Sequence, residues 1–385
     1  MEWGKKELYL NKTPLLDTYG FLADLLAVID VVDREGIWLA ANYNNIIGYR
    51  PDAPFCLYEL SIVQNRECGL NMFYQCPFLD FYKYRRAEVA EDTVVSFIRR
   101  YIEEGYYVLL NIDREYLGFY GLDYPSNHEV MVYGYDDGKR EFLLCDNAIN
   151  GKYRTDICCT YEEMRMGYGC YVPDNVKLDL HDSILLIAPT EDRFGYEFPV
   201  RVFEAQIREY LNIALAFGGR ERGEEWIYGF ENYCYLIAYV EEIIRAKGRG
   251  FRKDIRCFCA LLDHKKSLCH TFAYFERNGE LEEGFSERYA LIAKKALTIR
   301  NLVSDIGKRR RFRSYGIWRS SWRRNRAFCA VFWTGISAPS DVRERQEAGD
   351  SLPAAMDSGI SGEPDMAEGM IAGGRRPNGT PCCST

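Results

Sequence analysis

The chain has 385 residues, of which 47% are apolar, with 14 cysteines, four histidines and a formal net charge of -8. That length and apolar content suffice for two cores of ordinary size, and the acidic balance excludes nucleic acid as the main partner, because phosphate binding rests on clustered Lys and Arg. The cysteines are scattered through apolar runs with no secretory leader, which predicts a cytoplasmic protein whose reduced thiols pack as small hydrophobes.

Glu7 to Leu10 reads as a short strand. The apolar run from Leu15 to Val32 imitates a signal or membrane segment, but Asp17, Asp24 and Asp30 interrupt it and no small-residue cleavage site follows. It is expected to be a buried helix with Asp17 or Thr18 as its cap and Phe21, Leu22, Leu25, Leu26 and Ile29 on one face. No other run approaches the roughly 20 apolar residues of a membrane span, so no membrane partner is expected. Gly36 to Asn42 reads as a strand. Residues 43–90, rich in Pro, Cys and aromatics without a period, read as a packed irregular insert or a few short elements. A helix then carries Val94, Val95, Ile98, Tyr101 and Ile102 on one face and stops at Gly105. Tyr106 to Ile112 is a near-continuous apolar run, the pattern of a central strand covered on both faces.

His128 opens the next extended segment, which turns at Asp137-Gly138 and returns from Arg140 to Asn147. A two-residue loop places His128 opposite Asn147, and a three-residue loop places it opposite Asp146. Opposed residues have Cβ atoms about 4.5 to 5.5 Å apart, so either side chain can orient an imidazole nitrogen. Tyr161 to Met166 reads as a helix capped by Thr160, and Ser183 to Ala188 as a strand ending at Pro189. Past Pro199 long helical periods take over, in Val202–Phe217, Glu224–Ala246, Ile255–Arg277 and Phe285–Val303. The expected organisation is a mixed α/β (α+β) domain over 1–195 and a helical domain over 196–306. Residues 307–385 read as an aberrant or disordered tail, either a basic tail for an acidic partner or the text of a shifted reading frame.

An imidazole beside an acid or amide is half of a catalytic triad. The other half is a thiolate, usually at a helix N-terminus where the dipole lowers the thiol pKa. The first helix begins Leu16-Asp17-Thr18-Tyr19-Gly20, so its positive end presents Thr18 and the Tyr19 phenol, and Cys68 is the nearest substitute nucleophile. Cys257 and Cys259 are two apart on a predicted helix and point away from each other, so no metal is expected there, and nothing in the pattern calls for a cofactor.

Gly105-Tyr106-Tyr107-Val108-Leu109-Leu110-Asn111-Ile112-Asp113, His128-Glu129-Val130-Met131-Val132-Tyr133-Gly134-Tyr135-Asp136 and Leu144-Cys145-Asp146 together resemble the papain-like N-terminal domain of butirosin biosynthesis protein H and its relatives. The resemblance spans roughly residues 5–190, and the helices that follow look like the domain usually attached in that group. It implies a papain-like, cysteine-peptidase-like fold with an antiparallel sheet, and acyl transfer or amide hydrolysis with His128 as general base and Asp146 orienting it. It also implies an acyl- or peptidyl-carrier protein and a small-molecule acceptor as partners, in nonribosomal peptide or related natural-product assembly. The family's nucleophilic Cys opens the first long helix, where this chain has Thr18 or Tyr19. Two functions follow as expectations: acyl transfer or hydrolysis, or a non-catalytic relative that binds a carrier protein or peptide product.

Overall fold

The structure, a computed structural model, describes residues 4–49, 59–63, 71–147, 152–172, 182–192, 195–211, 226–246 and 254–305. Its elements are β1 (Lys5–Glu7), α1 (Gly20–Ile29), α2 (Ile37–Asn42), β2 (Asn45–Tyr49), β3 (Glu59–Val63), α3 (Asn71–Tyr74), β4 (Leu79–Arg85), α4 (Val94–Glu103), β5 (Tyr107–Asp113), β6 (Asn127–Asp136), β7 (Glu141–Asn147), β8 (Tyr153–Thr160), α5 (Tyr161–Gly169), β9 (Ser183–Pro189), α6 (Val200–Tyr210), β10 (Trp226–Tyr228), α7 (Asn232–Ala246), α8 (Arg256–Arg277) and α9 (Phe285–Asp305). The class is the expected mixed α+β: an antiparallel sheet followed by helices. The tail 307–385 lies outside the described residues. No described helix is long and apolar enough to cross a membrane.

The sheet runs β4-β9-β5-β6-β7-β8, with β1 paired along the far half of β6. β5 is central and buried at every position. Its alternation explains why it reads as one apolar run: Tyr107 and Leu109 enter a core with Leu22, Leu25 and Ile29 of α1, whereas Val108, Leu110 and Ile112 enter a second core with Ile98 and Ile102 of α4 and Met164 of α5. Helices therefore cover both faces. α4 ends where Gly105 takes a φ of 93°, as its sequence position implied. α5 starts on a capping box, in which Thr160 Oγ1 accepts from the Glu163 amide at 3.1 Å and Glu163 Oε2 accepts from the Thr160 amide at 2.6 Å.

Several expected elements are corrected. The stretch from Gly36 to Asn42 is the helix α2, not a strand, because Asp33 accepts from the Ile37 and Trp38 amides at 2.9 Å each and so satisfies the first free N–H groups. Of the two readings of 43–90, the described residues hold the few short elements β2, β3, α3 and β4. The first strand lies at Lys5–Glu7, ahead of the expected Glu7–Leu10. α1 is capped at Tyr19, with no side-chain bond, instead of at Asp17 or Thr18. β8 follows the hairpin as a further strand. The expected helix from Glu224 opens as β10 before α7 begins, and the end of Val202–Phe217 lies outside the described residues.

The helices α6 to α9 are joined to the N-terminal region by a small sheet and a polar seam. β2 pairs β3 on one edge and β10 on the other. Beside it, Asn44 bonds Gln206 of α6 at 2.8 Å and Thr271 of α8 at 2.8 Å, while His264 Nε2 meets the Asn44 carbonyl at 3.0 Å. One buried residue here is unusual. Lys265 has no exposed surface; its Nζ donates to the hydroxyls of Tyr210 at 2.9 Å and Tyr289 at 3.2 Å and lies 5.3 Å from the Tyr233 ring centroid.

Gly134 illustrates how closely β1 crosses β6. A Cβ there would lie 2.7 Å from the Lys6 carbonyl oxygen and 3.0 Å from Leu143 Cδ1. Gly134→Ala is expected to cost about 2 kcal/mol by forcing β1 off the sheet, read as a lower urea midpoint at unchanged m-value.

Candidate functional site

β6 and β7 bring the site together, though not in the register expected. The turn is four residues long, Asp137 to Arg140, with Asp136 opposite Glu141 and Arg140 at a φ of 59°. The register also slips between Val132 and Gly134, so that Met131 faces Cys145. Continuing that count puts Asp146 across from Val130, two positions along the same face from His128. Neither the two-residue nor the three-residue loop alignment holds, and the contact is diagonal instead of direct.

His128 sits at the start of β6 opposite Ile112 of β5, with a quarter of its side chain exposed (26%). Its Nδ1 donates to the Glu129 carbonyl at 2.9 Å and lies at the same distance from Asp146 Oδ1. Asp146 is wholly buried as a side chain. On its other edge, Oδ2 accepts from Tyr120 Oη at 2.6 Å and from Arg114 Nη1 at 3.2 Å. Burial alone would push the imidazole down. Bonding and charge from Asp146, with Glu129 adding to them, outweigh it and raise His128 to about 9. Asp146 is lowered: burial opposes its charge, but His128, Tyr120 and Arg114 prevail. At neutral pH the pair is an imidazolium facing a carboxylate.

The first turn of α1 meets the neighbours of this pair. A Cβ on Gly20 would lie 3.6 Å from Glu129 Oε1, and Asn147 Nδ2 donates to the Thr18 carbonyl at 2.7 Å. Glu129 and Asn147 alternate with His128 and Asp146 along their strands, so Asn147 braces the entry to α1 while Asp146 serves the imidazole. The Tyr19 hydroxyl donates to the Leu60 carbonyl, and its ring stacks on Phe21 at 5.8 Å. The Asp17 and Thr18 amides donate to Asp263 of α8 at 3.0 and 2.9 Å.

Cys68 lies outside the described residues. Cys145, next to Asp146 in sequence, points to the opposite face, where its Sγ lies 3.4 Å from Asp24 Oδ1 and Tyr153 Oη donates to the same oxygen at 2.8 Å. Burial pushes the Cys76, Cys145, Cys159 and Cys257 thiols up, away from thiolate character.

Arg114 and Tyr120 were missed by sequence reasoning. Arg114 directly follows the last residue of β5, which is the one local signal that it stands at the same sheet end as His128. Tyr120 lies in an irregular loop with no period to place it. A comparison with curated proteins finds no match to the chain. Residues 73–147, which run from the end of α3 through β7 and include His128, Asp146 and Asn147, match the family model for "Butirosin biosynthesis protein H, N-terminal", and over that stretch the chain carries this family's domain.

Proposed function

We propose that the chain serves acyl transfer or amide and thioester hydrolysis in peptide natural-product assembly, acting on a carrier-bound acyl or peptidyl thioester, with His128 as the proton-transferring group and Asp146 as its orienting partner. The observation that carries this reading is the 2.9 Å approach of His128 Nδ1 to the buried Asp146 carboxylate. That contact leaves Nε2 as the imidazole nitrogen available to a reacting group. An imidazole raised to about 9 is suited to pairing with a thiolate, because it stays protonated at neutral pH and its charge favours the ionised thiol. Already protonated at neutral pH, it is poorly suited to taking a proton from Tyr19 or Thr18, whose hydroxyls ionise less readily than a thiol.

A second reading, a non-catalytic relative that binds a carrier protein or peptide product, is favoured by the Tyr19 cap of α1 and by the bond of its hydroxyl to Leu60. Restoring a thiol separates the two. Tyr19→Cys and Thr18→Cys are expected to be acylated by a small acyl thioester at least tenfold faster than the parent, and His128→Ala in the same background is expected to abolish that gain. Mass spectrometry of the trapped adduct is the readout. Acylation that persists without His128, or none in either variant, would remove the catalytic reading.

A further inference from the structure

Asp146 is gripped on the edge that His128 does not use. Its Oδ2 accepts from Tyr120 Oη at 2.6 Å and Arg114 Nη1 at 3.2 Å, while Oδ1 faces the imidazole. Both donors are themselves fixed. The Arg114 side chain is only 17% exposed, its Nη2 donates to Ser126 Oγ at 3.0 Å, and its guanidinium carbon lies 5.1 Å from the Tyr120 ring centroid. Asp113 Oδ1 accepts from the Ser126 amide at 2.8 Å and the Glu115 amide at 3.1 Å, which ties the segment before His128 to the end of β5. The Tyr120 ring is buried in the core shared by α4, α5 and the sheet. The carboxylate is thus gripped at Oδ2 alone, with Oδ1 left to the imidazole.

We propose that Arg114 and Tyr120 are positioning residues of this site, which grip the Oδ2 edge of Asp146, keep Oδ1 aimed at His128, and limit how much of the carboxylate's charge is left for the imidazole. This rests on the reading of His128 and Asp146 as the working pair. The charges facing the imidazole are Asp146 and Glu129, which favour its proton, and Arg114, which opposes it. Arg114 therefore acts in two directions. It fixes the carboxylate that charges His128, and its own cation moderates the result. Tyr120 grips the same oxygen without a charge, so its removal has the same sign and a smaller size.

The test is the titration of His128 by proton NMR on the intact chain without substrate, its resonance assigned by its loss in His128→Gln. Arg114→Gln keeps a planar donor but removes the cation, and is expected to raise the midpoint by about one pH unit. Tyr120→Phe keeps the ring and is expected to raise it by roughly a third of that. Arg114→Lys restores the charge and should return the midpoint to the parent value. A midpoint that moves equally in Arg114→Gln and Arg114→Lys, or one unmoved in Arg114→Gln and Tyr120→Phe alike, overturns the proposal, and a midpoint that falls overturns its charge-limiting half, because it shows that the grip serves only to keep the carboxylate aimed. If Arg114→Gln does not fold, the Tyr120→Phe midpoint decides alone. Since no acylation enters this measurement, its failure leaves the thiol-restoration result standing, and the reverse is also true.

Discussion

Lys265→Met is expected to stabilise the protein at pH 7 by about 2 to 3 kcal/mol, an unusual sign for a substitution at a fully buried, hydrogen-bonded position. The reason is the missing counter-charge. Among the described residues the partners of Lys265 are the Tyr210 and Tyr289 hydroxyls and three aromatic rings, with no carboxylate among them, and burial lowers its pKa from 10.5 to about 7. A depressed lysine places the extra proton on the unfolded chain. Stability therefore rises with pH between about 7 and 10.5, and the buried ammonium costs about 4 kcal/mol at pH 7 at 1.36 kcal/mol per unit. Methionine removes that cost and fills similar volume, while losing two hydrogen bonds worth about 1 kcal/mol each. Urea denaturation at pH 7 and pH 10 is the check. The gain must be large at the lower pH and vanish or reverse at the higher one, and a variant less stable than the parent at both would show that the tyrosine cage satisfies the cation.

Asp146→Asn should have the opposite outcome, a loss of about 3 to 5 kcal/mol at pH 7, because it strips the carboxylate from a buried network and leaves Arg114 without its partner. It should also change the pH profile. A histidine raised above its ordinary 6.5 contributes stability that is complete below that value and is lost as pH rises through about 9, some 3 kcal/mol in all. Between pH 7 and 9 this loss runs against the gain from Lys265 with nearly the same slope. The parent is thus expected to be close to flat across that window, as far as these two groups govern it. Each variant unmasks the other group: Lys265→Met should lose stability with rising pH, and Asp146→Asn should gain it. A strong slope in the parent, or parallel profiles in all three proteins, would rule out this cancellation.

The parts of the fold legible in the sequence were those governed by local pattern. The run Tyr106 to Ile112 announced a strand covered on both faces because every side chain of β5 is buried, and Thr160 announced a helix start because a cap acts locally, its hydroxyl accepting from an amide three residues on. His128 and Asp146 were legible as a pair for the same reason, since a hairpin brings its two ends together almost whatever its turn. The register was not legible. A four-residue turn and the slip at Tyr133 shift the partner by more than the spacing argument allowed, and the face, left open between Asp146 and Asn147, is settled only by the slip, which puts Asp146 on the side of His128. Gly36 to Asn42 failed differently. Ile37 and Trp38 fit a strand while Leu39, Ala40 and Ala41 favour a helix, and the deciding interaction is a carboxylate three residues upstream of Gly36 that satisfies two amides. Tyr120 reaches Asp146 from an irregular loop and Arg114 from the turn that follows β5, and no period marks such residues.

The ladder between β2 and β10 joins segments that lie far apart in the chain, near its start and well past its middle. Contacts of such long sequence separation form late, because the entropy of closing the intervening loop is spent before the pairing returns anything. During synthesis β2 therefore leaves the ribosome long before β10 exists, with its unpaired edge exposed as a template for another chain. The delay leaves this edge open to pairing between newly made molecules until β10 arrives.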